Sequence, residues 1–523
     1  MKKRLLMLIS FITIGAISCT EENLDIKNQG AYDSSNYFVS AAQINEALTA
    51  NYAGLLQQGL FAREWYFIYD TMGNDAERSI ALLGDGQQLT EFNHDPEHPQ
   101  IKQMWQTLYR IVFRSNFVID RAMAWQATST VDKALKKQYI AEATFLRGWA
   151  NFVLVNNWGR VPFRENFASS SNFNIGRASI ADLWKSIETD FSKAATELPA
   201  SFAGTDRGRA TSGASTAMLG KAYLFQKKWG LAQTEFEKLT KGQYSLNPSY
   251  DEQFSATSNN NSKETVFDVP HRWSGWATGN QYYMFGGQDG WGGKTTHTGR
   301  AQEYGFNDWN NVFISNAAVQ AFTYTDEAGK KYTDPRAKLV FYGDVASGGD
   351  VSYCDKCAKT IPYDFAANGY KWRKYEPYEL QEKIDGPQSE INSQVIRYAD
   401  VLLMLAESQI QQGNTTASLP LINQVRKRVG AFEYKSLGNQ AEATAKLIRE
   451  RQIELCGEQV RYFDLMRWGL FKNTINTEKN AVRNIYTTLR QNPVEDKHLL
   501  FPIPNSEKSV NPEVAKDVAN GWN

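Results

Sequence analysis

Residues 134–158 read ALKKQYIAEATFLRGWANFVLVNNW, and the positions Tyr139, Ala143, Leu146, Ala150 and Val153 recur at three- and four-residue spacing. That is the period of an α-helix, so the stretch predicts an amphipathic helix with a wide apolar face. A second helical region covers residues 212–240. In it Leu219-Gly220 and Tyr223 are followed by Ala232 and Phe236, thirteen and seventeen residues after the leucine. This spacing matches the tetratricopeptide unit of helix, turn and helix. Small Gly220 and Ala232 let the helices approach, Tyr223 and Phe236 fill the seam, and Lys227-Lys228-Trp229-Gly230 supplies the turn.

Further regions read as degenerate copies. Residues 398–412 are helical in pattern, 413–418 form a turn, 419–429 are helical again, and 441–471 add two helical segments. Asn45, Leu48 and Tyr52, then Trp105, Tyr109, Val112 and Asn116, place helices nearer the start. The expected fold is mainly α, a tetratricopeptide-like repeat scaffold. Periodicity fails over residues 247–375, where Gly, Asn, Ser, Trp and Tyr crowd together. Loops held by a rigid scaffold carry function, so a ligand-binding region is expected there. Pro-rich and low-complexity linkers are absent, which favours one compact body over residues 32–523.

The beginning of the chain is of another kind. Met1-Lys2-Lys3-Arg4 precedes an apolar run from Leu5 to Ile17, followed by Ser18-Cys19. The run is shorter than the roughly 20 apolar residues a spanning helix needs. A basic start, a short apolar core and small residues before the break predict a secretory leader over residues 1–18. Cys19 after Ser18 makes it a lipoprotein leader, with Cys19 acylated and the mature protein anchored to the membrane without crossing it. Ala16 stands where such leaders usually carry Leu. Residues 19–31 form an acidic linker that resembles the export tag of surface lipoproteins, although any solvated linker would also be acidic.

Charge and cysteine content narrow the functional classes. Lys plus Arg equals Asp plus Glu at 57 each, and removing Lys2, Lys3 and Arg4 leaves the mature chain near −3. No clustered basic footprint for nucleic acid is present. After Cys19, only Cys354, Cys357 and Cys456 remain, too few for a disulfide framework. Cys354 and Cys357 have half a zinc-site spacing with no second pair, so a local disulfide or free loop thiols are expected, and Cys456 is expected to be buried. No metal or cofactor is expected.

Several short motifs, taken in order, resemble the SusD/RagB family. They are residues 141–147 (AEATFLR) leading to 158–163 (WGRVPF), 208–211 (GRAT), 397–400 (RYAD) with Ala406-Glu407, 423–426 (NQVR), 458–469 (EQVRYFDLMRWG), and 501–504 (FPIP) with Asn511-Pro512. The resemblance runs from about residue 32 to the C-terminus. It implies a helical-repeat scaffold with a loop-rich ligand region, lying on the outer-membrane surface as a lid over a SusC-like TonB-dependent transporter. It further implies non-catalytic capture of a glycan, or of a peptide in some members.

Candidate ligand residues follow from that implication. Residues 271–309 hold Trp273, Trp276, Trp291 and Trp309 with Tyr282, Tyr283 and Tyr304, and nine glycines. Flat aromatic surfaces beside hydrogen-bonding groups suit the C–H faces of sugar rings. Trp276 and Trp291, each next to Gly and off any helical spacing, lead the candidates, followed by Tyr283 and Trp273. Core packing is the competing reading for any single tryptophan. Asp75 and Arg78 resemble a family turn near the ligand face; they could bind sugar hydroxyls or close the loop as a salt bridge.

Other patterns point away from catalysis. Residues 287–295 carry Gln288 where a phosphate loop requires Gly. His94 and His98 flank Pro96, which breaks the helix that would align them for a metal, so a solvated turn is expected. Glu454, Glu458, Arg461, Asp464 and Arg467 recur at three- or four-residue spacing, which suggests interlocking ion pairs on one helix. A surface glycoside hydrolase and a pure protein-binding scaffold remain as alternatives.

Overall fold

The computed structural model describes residues 37–78, 84–170, 172, 174–272, 300–306, 310–353, 360–376, 390–478, 492–517 and 522. Helices form where the apolar period places them. They are α1 (Ala41–Tyr52), α2 (Glu64–Met72), α3 (Pro99–Ala124), α4 (Thr130–Trp158), α5 (Ile180–Glu197), α6 (Ser212–Phe225) and α7 (Trp229–Leu239). After the insert come α8 (Tyr398–Gln411), α9 (Thr415–Arg428), α10 (Gln440–Glu454) and α11 (Val460–Arg467). The side chains of Ser129, Ser179 and Thr211 accept from the N–H of Asp132, Asp182 and Ala214, which fixes the starts of α4, α5 and α6. Each such cap is worth about 1 kcal/mol. Asn439 and Glu442 form a reciprocal capping box on α10.

Successive helices lie against one another: α3 on α4, α4 on α5, α5 on α6, α6 on α7, α7 on α8, and α8 on both α9 and α10. This is the stacking of a helical-repeat scaffold. α6 and α8 are its most enclosed members, with nearly every residue of α8 buried. At the predicted repeat, a Cβ on Gly220 would sit 2.7 Å from Phe236 Cε1, so the ring occupies the space a side chain would need. Tyr223 is only half-buried and lies at the rim, with Lys228 Nζ 5.7 Å from its ring centre.

Three expectations about local structure need correction. The turn after α8 is shorter than residues 413–418, because Asn414 accepts from Ala417 N–H and starts α9 early, with Pro420 tolerated inside the helix. Residues 247–375, expected to be loop-rich and without periodicity, also hold short strands and helices. The strands β1 (Ala76–Arg78), β2 (Thr265–Val269), β3 (Val312–Ile314) and β4 (Ser393–Arg397) tie them to the scaffold, with β1 antiparallel to β3 and β2 antiparallel to β4. Further two-stranded pairs and one-turn helices lie within the insert. Such strands are too short for a period of two to show in sequence.

The third correction concerns the His94–His98 turn. Asp95 and Glu97 are solvated, but both histidines are buried. His98 Nδ1 accepts from Ile101 N–H and caps α3, while the His94 ring lies against His498 and Trp522. The C-terminal chain folds back over this turn, a contact no local pattern announces.

Among the described residues two large hydrophobic cores form, beside a small cluster of Tyr342, Tyr353 and Tyr363. One fills the helical scaffold. The other is rich in aromatics and joins Tyr66 and Phe67 of α2 to Tyr250, Phe254, Phe341 and Trp372 of the insert and to Ile453 and Cys456 beyond it. Cys456 is buried, as its apolar setting suggests. Among the described residues no helix is long and apolar enough to cross a membrane.

Candidate functional site

Trp273, Trp276, Trp291, Trp309, Tyr282 and Tyr283 lie outside the described residues, as do Cys19, Cys354 and Cys357 and the glycine-rich residues 287–295. The two stems of the aromatic segment are described, and both are anchored. At the entry, His271 N–H donates to Asn392 Oδ1 at 3.1 Å and its Nε2 lies 2.9 Å from Ser393 Oγ. At the exit, the Arg300 guanidinium donates to Asp70 Oδ2 at 2.8 Å and to the Gly457 carbonyl at 2.5 Å. Its guanidinium carbon lies 3.5 Å from the centre of the Tyr375 ring, a short cation–π contact. Burial outweighs the pull of Arg300 and leaves the Asp70 carboxyl above its ordinary range.

Beneath the stems, buried charges fasten the insert to the scaffold. Glu264, Asp334, Arg336 and Lys374 come from the insert; Arg397, Arg426, Arg428, Glu450, Glu454 and Glu458 come from β4, α9, α10 and the turn after it. Arg397 donates to Glu264 and Glu454 at 2.6 Å each and to Glu458 at 2.7 Å. Arg336 reaches Asp334 at 2.8 Å and Glu450 and Glu454 at 2.7 Å each. Arg426 pairs with Glu450 and Lys374 with Glu458, both at 2.6 Å, and Arg428 pairs with Glu264 and Glu454. Burial alone would raise Glu454, but Arg428, Arg397 and Arg336 together hold its carboxylate well below the usual range.

This arrangement corrects the expectation of one ion-paired helix. α10 ends at Glu454, Gln459 adopts φ +61°, and α11 begins at Val460, so the five residues are split between two helices and a turn. Asp464 pairs with Arg467 at 2.8 Å within α11 and with Arg451 of α10 at 2.7 Å, while the partners of Glu454 and Glu458 come from other segments of the chain. Spacing correctly indicated ion pairing; the break at Gly457 and Gln459 decided with whom.

Asp75 is buried, 1% exposed, between α2 and β1. Its Oδ2 accepts from Gly457 N–H at 3.0 Å, and its backbone carbonyl accepts from Ser315 N–H at 2.9 Å. Burial, reinforced by the charge of Asp70, pushes its carboxyl up to about 7. The geometry is that of a residue closing the loop from inside, with a backbone amide in place of a salt bridge, and it takes Asp75 out of the solvent-facing set. Arg78 lies in β1 with its backbone opposite Val312. Arg300, His271 and Arg397 are the positioning residues that sequence reasoning missed. Arg397 stood in a quoted motif, but nothing local showed that it joins three carboxylates.

A stack of helix pairs holding a loop-rich insert by buried stems defines a class: a helical-repeat scaffold with a large insert. The profile described as "SusD family" matches residues 242–522. A second, described as "Starch-binding associating with outer membrane", matches residues 23–224. The chain belongs to the SusD family, a family of binding proteins and not of enzymes. It is 22% identical to SusD-like protein P25 of Formosa agariphila, with 100% of both chains covered. A SusD-like carbohydrate binding protein of Bacteroides fragilis superposes with a TM-score of 0.74 at 22% identity, covering 91% of this chain and 99% of that one. A laminarin binding SusD-like protein superposes with a TM-score of 0.68 at 22% identity, covering 90% and 97%.

Proposed function

We propose that this protein is a non-catalytic, surface-exposed lipoprotein of the outer membrane, anchored through Cys19, that captures a glycan and passes it to a partner TonB-dependent transporter. The observation that carries the reading is the aromatic segment of residues 273–299, entered at His271 and left at Arg300 by buried, hydrogen-bonded stems on a family scaffold. Rigid stems lower the ordering cost of a recognition loop. Like folds that bind laminarin support a carbohydrate as the ligand. Trp276 and Trp291 lead as sugar platforms, with Tyr283 and Trp273 beside them. Several weak subsites acting together would supply avidity for a polymer.

The test is calorimetric titration of the purified protein against a polysaccharide panel and a mixed peptide digest, repeated with Trp276→Ala and Trp291→Ala. Saturable binding to a glycan, weakened at least about tenfold in either variant, is expected for loss of a central aromatic anchor. Peptide-only binding, or release of reducing ends from the glycan, would overturn the reading.

A further inference from the structure

The loop before α6 and the strand β2 enclose a cleft of about 390 Å³ to which no tryptophan contributes. Ligand pockets span about 300–1,000 Å³, so this one suits a small ligand. Its floor is built around Asp268, 8% exposed on a strand whose neighbours Val266, Phe267 and Val269 are all buried and apolar. Asp268 Oδ2 accepts from Asn392 Nδ2 at 2.7 Å, and the same amide nitrogen donates to Asn260 Oδ1 at 3.0 Å. Among the described residues no cation pairs directly with Asp268; Arg207, exposed at the mouth, is the positive charge that pulls on it from a distance. Burial pushes the Asp268 carboxyl up to about 6.

The shape is set by backbone. Gly208 has φ +92°, and a Cβ there would lie 2.5 Å from Pro270 Cγ, so only glycine lets the loop close against the end of β2. The half-buried Tyr244 ring and Phe202 supply apolar faces beside Gln243, Asn260 and Arg207. Beyond Asn392 and its own backbone N–H, the Asp268 carboxylate keeps acceptor capacity that a ligand hydroxyl or water can use. Amides that both donate and accept, an acceptor carboxylate and aromatic faces together match adjacent hydroxyls above a ring of C–H groups. An anionic ligand would meet the charge of Asp268, and a cationic one the charge of Arg207 and Lys263 at the mouth.

We propose that this cleft is a separate carbohydrate subsite for one or two neutral sugar rings, with Asp268 accepting from ring hydroxyls and Tyr244 offering an aromatic face. The substrate class rests on the glycan-capture reading, but none of the tryptophans is used. The experiment is calorimetry and saturation-transfer NMR with maltose, cellobiose and laminaribiose. The proteins are the wild type, a Trp276→Ala/Trp291→Ala double variant, Asp268→Ala and Ser201→Trp, in which the exposed Ser201 becomes a plug for the cleft.

At least one disaccharide is expected to bind the wild type and the double variant alike, and to lose about tenfold or more in affinity in both cleft variants. Ser201→Trp should unfold at the wild-type midpoint, which keeps the test independent of the buried Asp268. Disaccharide binding unchanged in both cleft variants, or no disaccharide binding at all, would overturn the cleft. Polymer binding lost only with the tryptophans would then still stand. Disaccharide binding at the cleft together with polymer binding unchanged in the tryptophan double variant would support the cleft and overturn the tryptophan platforms.

Discussion

Replacing Arg397 by methionine tests whether buried charge fastens the insert to the scaffold. The network holds five cations, Arg336, Lys374, Arg397, Arg426 and Arg428, and five anions, Glu264, Asp334, Glu450, Glu454 and Glu458, with Arg397 at 1% side-chain exposure. Methionine keeps length and apolar bulk but leaves one uncompensated negative charge. Removing one partner of a buried pair costs about 3–5 kcal/mol. Glu458 keeps Lys374 at 2.6 Å, Glu264 keeps Arg428 at 3.0 Å, and Glu454 keeps Arg336 at 2.7 Å, so no carboxylate is fully orphaned. The loss should therefore sit near the lower end, about 3 kcal/mol. Urea unfolding followed by tryptophan fluorescence measures it as a lower midpoint at an unchanged slope.

Wild type and Arg397→Met are compared at pH 8. Arg397→Lys, which keeps the charge but not the planar fork, should fall between the two. A loss under about 1 kcal/mol at pH 8 would refute the argument that the network acts as a charge-balanced fastening.

Three further outcomes are expected. Gly220→Ala would gain about 1 kcal/mol from helix propensity alone, yet the Phe236 ring 2.7 Å from the new Cβ should make it a net loss of about 1–2 kcal/mol in urea unfolding. Burial pushes His94 down to about 3 and His498 to about 4, so the folded state binds fewer protons than the unfolded chain. Stability should be complete above about pH 6.5 and be lost as pH falls towards 4, with His94→Phe flattening that dependence in midpoints taken at pH 7.5 and 4.5. Asp75, pushed up to about 7, is held best when protonated, so its share of stability is lost as pH rises from about 4 towards 7. Asp75→Asn should stabilise at pH 8 by on the order of 2–4 kcal/mol and change little at pH 4, by the same unfolding assay.

By itself the sequence determined the helical scaffold, because helix formation and helix pairing are local: the apolar period of α4 and the Leu219 to Phe236 spacing record which faces must be buried. Its ordered short motifs were enough to place the chain in its family, and its aromatic crowding is the ground of the proposed ligand segment. The tertiary structure alone decided who meets whom across the chain. Asp75 could have been a sugar contact or a loop closure until the turn at Gly457 buried it, and His94 looked solvated until the C-terminal residues covered it. The carboxylates around Glu454 looked like partners of their own helix until Gln459 broke that helix and turned them towards Arg336 and Arg397. The cleft at Asp268 was illegible for the same reason: a carboxylate in a short apolar strand has meaning only once Asn392, distant in the chain, has been brought beside it.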